Sequence, residues 1–305
     1  MATAVWPAIS PQELEIEEKR ALTNELEWLL SALQESLAAL KSGFEECAQL
    51  LSPADQQGST LPLSSHRSEA VKGIVTRVGA RIIKGDVKVR LATLPSAKGQ
   101  SAFPLIVSSA AQAPTLVLSQ LVDVRDRINS CLDVVDASAW AGDTKDAGFI
   151  SGQLRLLDVN IQEARAALKG GLDATNVTPW YTEVIDASAF DPALPSNLAV
   201  HFFITDSALT LEIRTLESAN ENKSDFHTSL FTGRIAQALG AAKPLTHDEM
   251  DEVFMYRGKE VKVKEKVRVE SLDPKLMAAS AKLAALERTV GHARAALNVV
   301  MGKEE

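Results

Sequence analysis

Residues 273–300 read DPKLMAASAKLAALERTVGHARAALNVV, and the spacing of the apolar positions in this stretch decides the fold. Leu276, Leu283, Val290 and Leu297 recur at every seventh residue, with Ala279, Leu286, Ala293 and Val300 at the companion position. This repeat predicts a long helix with a packing seam along one side. Asp273-Pro274 suits its start, because proline is tolerated in the first helical turn. The beginning of the chain carries a matching stripe: Leu22, Leu26, Leu29, Leu33, Leu37, Leu40, Phe44, Cys47 and Leu51 fall three or four residues apart. There Ser10-Pro11-Gln12-Glu13 supplies a capping box and Ser52-Pro53 a stop. Gly43 is the weak point of this first helix, costing about 1 kcal/mol relative to alanine and permitting a bend.

Two further stripes lie between these ends. After Pro114 come Val117, Leu121, Val124, Ile128, Cys131 and Val135. A break at 138–142 and a cap at Asp143 lead into Ile150, Leu154, Leu157, Ile161, Ala164 and Leu168, which stop at Gly170-Gly171. So short a connection predicts an antiparallel helical hairpin. Each buried Leu or Val contributes about 1.5 to 3 kcal/mol, and four stripes in one chain are satisfied by burying one another. An intramolecular core is therefore favoured over an intermolecular zipper, which is compatible with a monomer in isolation.

Between the stripes the period changes to two. Val71, Gly73 and Val75 alternate with Lys72, Ile74 and Thr76; Val87, Val89 and Leu91 alternate with Lys88, Arg90 and Ala92. Residues 103–107 add a short strand. Leu198, Val200 and Phe202, then Leu209, Leu211 and Ile213, predict two more strands around a turn at Asp206-Ser207. Val253 to Tyr256, a turn at Arg257-Gly258, and Val261, Val263, Val267 and Val269 alternating with Lys262, Lys264, Lys266 and Arg268 predict a closing hairpin. Residues 226–239 are ambiguous, with a short helix as one reading. The expected class is α+β: an elongated antiparallel helical bundle built from both chain ends plus the central hairpin (11–52, 114–170 and 273–302), joined to a discontinuous, mainly antiparallel β lobe (69–108 and 180–271). Residues 53–68, rich in Ser, Gln, Gly and Pro, are the expected linker.

Composition narrows the function. The chain has 305 residues, 46% of them hydrophobic, 24% charged and 5% aromatic, with a net charge of −8. These are globular values, and the acidic balance argues against a general nucleic-acid binder. No apolar run reaches the roughly 20 residues that span a bilayer, and the start lacks the pattern of a secretory signal. A cytoplasmic protein is expected, with Cys47 and Cys131 as buried thiols. The five histidines, His66, His201, His227, His247 and His292, have no zinc-site spacing, and nucleophile-elbow, phosphate-loop and dinucleotide patterns are missing. No catalytic residue, metal or cofactor is expected.

Basic strands are the best candidate surface. Lys72, Arg77, Lys88 and Arg90 in the first strand group, and Lys262, Lys264, Lys266 and Arg268 on one face of the last strand, are the candidate partner-binding residues. Two readings stand: lysines that blunt an exposed sheet edge, or a surface for an acidic partner or an anionic membrane. No aromatic residues interleave with them, which disfavours single-stranded nucleic acid.

Three strings carry a family likeness: Glu27-Trp28-Leu29-Leu30 in the first helix, Ala70-Val71-Lys72-Gly73-Ile74-Val75 opening the strands, and Pro192-Ala193-Leu194-Pro195-Ser196-Asn197-Leu198 before the third strand group. In order and spacing they resemble the Rogdi leucine-zipper family over most of the chain, with 218–250 matching least. The likeness is nearest to fungal members, the small subunits of the RAVE complex (regulator of the ATPase of vacuoles and endosomes). It implies a helical bundle joined to a β lobe and a non-catalytic role in assembling the vacuolar proton-translocating ATPase from its peripheral and membrane sectors. Implied partners are a large β-propeller-containing subunit, a Skp-type adaptor and ATPase peripheral-sector subunits. Recruitment from the cytoplasm to vacuolar or endosomal membranes is implied as well.

Overall fold

A computed structural model of the chain describes residues 10–52, 57–65, 69–94, 102–140, 146–170, 178–219, 247–250 and 252–302. Among these residues it contains four α-helices and two antiparallel sheets, in the order α1 (Pro11–Leu51), β1 (Ser59–Ser64), β2 (Val71–Val78), β3 (Arg81–Val89), β4 (Phe103–Ile106), β5 (Leu116–Val117), α2 (Ser119–Trp140), α3 (Ala147–Lys169), β6 (Leu198–Thr205), β7 (Ala208–Ser218), β8 (Val253–Tyr256), β9 (Lys259–Leu272) and α4 (Pro274–Val300). The chain divides into a helical unit, 1–48, 126–164 and 281–305, and a sheet unit, 49–125 and 165–280.

In the helical unit the apolar stripes point inward. Leu33, Leu37, Leu40, Phe44 and Cys47 of α1, Ile128, Cys131 and Val135 of α2, Ile150, Leu154, Leu157 and Ile161 of α3, and Leu283, Val290 and Leu297 of α4 are all buried. Ion pairs at the rim join α1 to α2 (Lys41–Asp136, 2.7 Å), α2 to α3 (Arg127–Glu163, 2.9 Å), α3 to α4 (Asp158–Arg294) and α4 to α1 (Lys282–Glu46). Burial pushes the thiols of Cys47 and Cys131 up to about 12, so both remain protonated and pack as small apolar groups.

The seam of α1 begins later than its sequence stripe. Leu30 is the first fully buried position, whereas Leu22 is 45% exposed and Leu29 only half-buried. The helix starts as expected, with Glu13 N donating to Ser10 Oγ at 3.2 Å and Ser10 N to Glu13 Oε2 at 3.1 Å.

The first sheet of the other unit has the order β1-β2-β3-β4, with β5 also paired to β3. The expected linker is thus partly a strand. Its Ser/Pro-rich composition conceals an alternation in which Ser59, Leu61 and Leu63 are buried and Thr60, Pro62 and Ser64 exposed. Pro62 is tolerated because β1 is an edge strand. Residues 53–56 and 66–68 of that segment lie outside the described residues. The helix expected from Pro114 starts instead at Ser119, because Leu116 and Val117 pair with Ile82 and Arg81 of β3. The cap expected at Asp143 and the ambiguous 226–239 also lie outside the described residues. Asp146 caps α3 by accepting from Phe149 N at 3.0 Å, and α3 ends at Gly170, whose positive φ of 58° suits a glycine.

The second sheet has the order β6-β7-β9-β8. Strands β6 and β7 meet at Asp206-Ser207, and β8 and β9 at Arg257-Gly258, both turns having positive φ at their two central residues. That geometry matches the twist of two-residue hairpins. Residues 198–204 and 208–216 are buried on both faces, so β6 and β7 are covered on two sides, whereas β9 keeps exposed positions along one face.

Candidate partner-binding surface

The eight cations singled out in the sequence do not share a face. Arg77 is the clearest correction. It lies in β2 with only 1% of its surface exposed and donates Nε to Asp273 Oδ2 at 2.7 Å and Nη1 to the Gly79 carbonyl. Asp273 is itself fully buried and also accepts from Ser59 Oγ at 3.0 Å and Lys275 N at 2.9 Å. This single carboxylate therefore caps α4, anchors β1 and neutralises Arg77. The residue sits on the inward parity of β2, with Val71 and Val75, so its charge faces an internal partner rather than another protein.

Three of the candidate cations of β9, Lys264, Lys266 and Arg268, are held by nearby carboxylates. Lys264 pairs with Glu217 at 2.7 Å, and Lys266, whose side chain is 11% exposed, pairs with Asp248 at 2.9 Å and Glu249 at 2.7 Å. Arg268 pairs with Glu270, lies 3.7 Å from Glu212, and sits over the Phe203 ring at 5.5 Å. Lys262 is half-buried, opposite Val253 of β8 and Glu217 of β7. The continuous basic row expected along β9 is instead part of an ion network at the second sheet.

Arg214 of β7 is the centre of that network. Its Nε and Nη2 bond both oxygens of Glu249 at 2.7 Å, and Nη2 also reaches Glu212 at 2.5 Å. Its guanidinium lies 4.8 Å from the centre of the Trp180 ring, an arrangement that adds cation–π attraction. Burial works against the Lys266 charge, yet the bonds to Glu249 and Asp248 prevail and hold it above its ordinary value. Glu249 would be raised by burial, but Arg214 and Lys266 hold it below its ordinary range. A cleft of about 350 Å³ opens here, lined among others by Trp180, Tyr181, His201, Glu252 and Phe254. Its carboxylates, buried Glu212 and half-buried Glu249, are both bonded to Arg214. His201, stacked on Phe203 at 4.9 Å, is pushed down to about 4 by burial, with the Arg214 charge adding to the effect. It is neutral at physiological pH. Sequence reasoning missed this constellation, since Glu249 lies in a different segment from Glu212 and Arg214, and the signal was those two charges inside the otherwise apolar middle of β7.

The first sheet is different. Its inner face is buried, but the outer one is open, and β2 and β3 place Lys72 directly opposite Lys88 and Thr76 opposite Lys84. Like charges facing each other across a sheet repel. Lys72, Lys84 and Lys88 are exposed, and among the described residues none has a carboxylate within ion-pair distance. The neighbouring row runs Pro62, Ile74, Asp86, Ile106 across four strands. Ile74 is 53% and Ile106 38% exposed. Arg90 lies at the edge of this face, bonded to Glu69. An open sheet face with three lysines that form no ion pair among the described residues, around exposed Ile74 and Ile106 with Asp86 between them, is suited to binding another surface. Of the eight candidate cations the structure brings Lys72 and Lys88 together on it, with Arg90 at its edge, and Lys84 of the same basic strand group joins them.

Among the described residues no group of His, Cys, Asp and Glu is arranged to hold a metal ion, and no helix is long and apolar enough to cross a membrane. The sequence model of one protein family, described as Rogdi leucine zipper containing protein, matches residues 25–298. No curated protein matches the chain.

Proposed function

Because the chain belongs to the Rogdi leucine zipper family, we propose that it is a non-catalytic subunit of a RAVE-type complex, which promotes assembly of the vacuolar proton-translocating ATPase from its peripheral and membrane sectors. The observation that carries this reading is the open face of the first sheet, with Lys72, Lys84 and Lys88 unpaired around Ile74 and Ile106. Its partners are a large β-propeller-containing subunit, a Skp-type adaptor and peripheral-sector ATPase subunits, met in the cytoplasm and at vacuolar or endosomal membranes. The helical unit is read as an antiparallel bundle acting as a rigid support. In its favour, Glu46 of α1 meets Lys282 of α4, whereas a Cβ on Gly43, three residues earlier, would meet Leu286, four residues later.

Affinity capture of the tagged full chain from a fungal lysate tests the proposal. A propeller-containing partner and ATPase subunits should be recovered, and less of both with Lys72→Glu/Lys88→Glu. Recovery of neither with the unaltered chain overturns the reading. A second reading, a peripheral adaptor on anionic lipid, draws on the same lysines. Flotation with phosphatidylserine vesicles separates the two, since the adaptor alone requires lipid binding that the double variant abolishes.

A further inference from the structure

Pro11 to Glu25 is helical yet exposed at every residue. This part of α1 lies before the buried seam, which starts at Leu30. Its side chains are nonetheless ordered along the helix. Leu14, Glu18, Ala21, Glu25 and Trp28 are spaced four, three, four and three residues apart, the interval that keeps positions on one face of a helix. Leu22 lies beside this line. Leu14 is 57%, Leu22 45% and Trp28 70% exposed. The two cations of the segment are already engaged, Lys19 with Glu15 at 2.7 Å and Arg20 with Glu17 at 3.8 Å. Among the described residues Glu18 and Glu25 have no ion partner.

We infer that this face of α1 docks a basic amphipathic helix of a partner protein, one whose apolar residues meet Leu14, Ala21 and Trp28 and whose Lys or Arg residues, seven apart, meet Glu18 and Glu25. Charge decides the occupant. In a pairing of two copies the seam would set Glu18 and Glu25 against the same carboxylates, which is unfavourable at heptad core positions. Trp28 supplies the large, exposed anchor typical of an interface centre. The surface belongs to the helical unit, has the opposite sign to the open sheet face, and is argued independently of it.

The test uses the full chain and a labelled synthetic peptide of four heptads, with leucine at one core position and lysine at the other; an otherwise identical peptide carries glutamate in place of lysine. Fluorescence anisotropy should show the lysine peptide binding at least tenfold tighter than the glutamate peptide. Binding should weaken at least tenfold in Trp28→Ala and in Glu18→Lys/Glu25→Lys. Lys72→Glu/Lys88→Glu should leave it unchanged. All five α1 and sheet positions are exposed, and unaltered helicity by circular dichroism confirms that folding is preserved. Equal affinity for both peptides, binding indifferent to the α1 variants, or a dimer in sedimentation that Trp28→Ala dissolves would each overturn the proposal.

Discussion

A fully buried arginine needs its charge compensated, and Asp273 does this for Arg77, while Nε and Nη1 donate to Asp273 and to the Gly79 carbonyl. Removing one member of such a pair leaves the other unpaired, at a cost of about 3 to 5 kcal/mol. Arg77→Met and Asp273→Asn should each lower the urea midpoint of the sheet unit accordingly. The double variant, which leaves no orphan charge, should recover part of the loss. His201 predicts a pH dependence. Its native value near 4 lies below the ordinary 6.5, so the unfolded chain binds a proton that the native chain refuses between those limits. The contribution is present above pH 6.5 and lost as pH falls toward 4, on the order of 3 kcal/mol in all. Urea titrations across that range should show a steep decline in the unaltered chain and a shallower one in His201→Phe. The histidine's neighbour Phe203, two residues on in the same strand, was legible in the sequence; Arg214, brought in by strand pairing, and Glu183, 4.0 Å away across a loop return, were not.

Among the elements, α1 shows how a local rule is overruled by packing. In sequence Gly43 reads as a bend. In the structure it is the place where α1 approaches α4 closely, a Cβ there falling 2.6 Å from Leu286 Cδ2. Gly43→Ala gains about 1 kcal/mol of helix propensity against a leucine end that can shift, so its melting temperature should stay close to that of the unaltered chain. Gly43→Val has a branched side chain that cannot be accommodated and should cost about 1 to 3 kcal/mol. The strands follow the same logic. Alternation marked β2 and β9 correctly, because one face of each is apolar in composition, but only the second half of β3: Gly85, which reads as a turn, lies inside that strand opposite Val75. β1 escaped notice, since only Leu61 and Leu63 distinguish it from a polar linker, and pairing with β2 supplies the rest.

At the scale of the molecule, the two units rest on different chemistry. The helical unit depends on its four apolar stripes, and Leu283 and Leu154 are 0% and 1% exposed. Leu283→Asp or Leu154→Asp buries an unpaired charge, a change that costs upward of about 3 kcal/mol. Loss of the helical signal at a lower temperature by circular dichroism is the expected result. The sheet unit depends as much on ion pairs that join distant segments: Arg77 with Asp273, and Arg214 and Lys266 with Glu249. The sequence by itself determined the helices, most strands and the inward seams, because periodic hydrophobicity is a local property that each segment carries alone. Which cations are free was decided only by tertiary structure. Lys72 and Arg77 are five residues apart in one strand, yet strand parity and a carboxylate 196 residues away put one in solvent and the other in the core. Charge is written residue by residue, but its neutralisation depends on which distant groups the fold brings within a few ångströms.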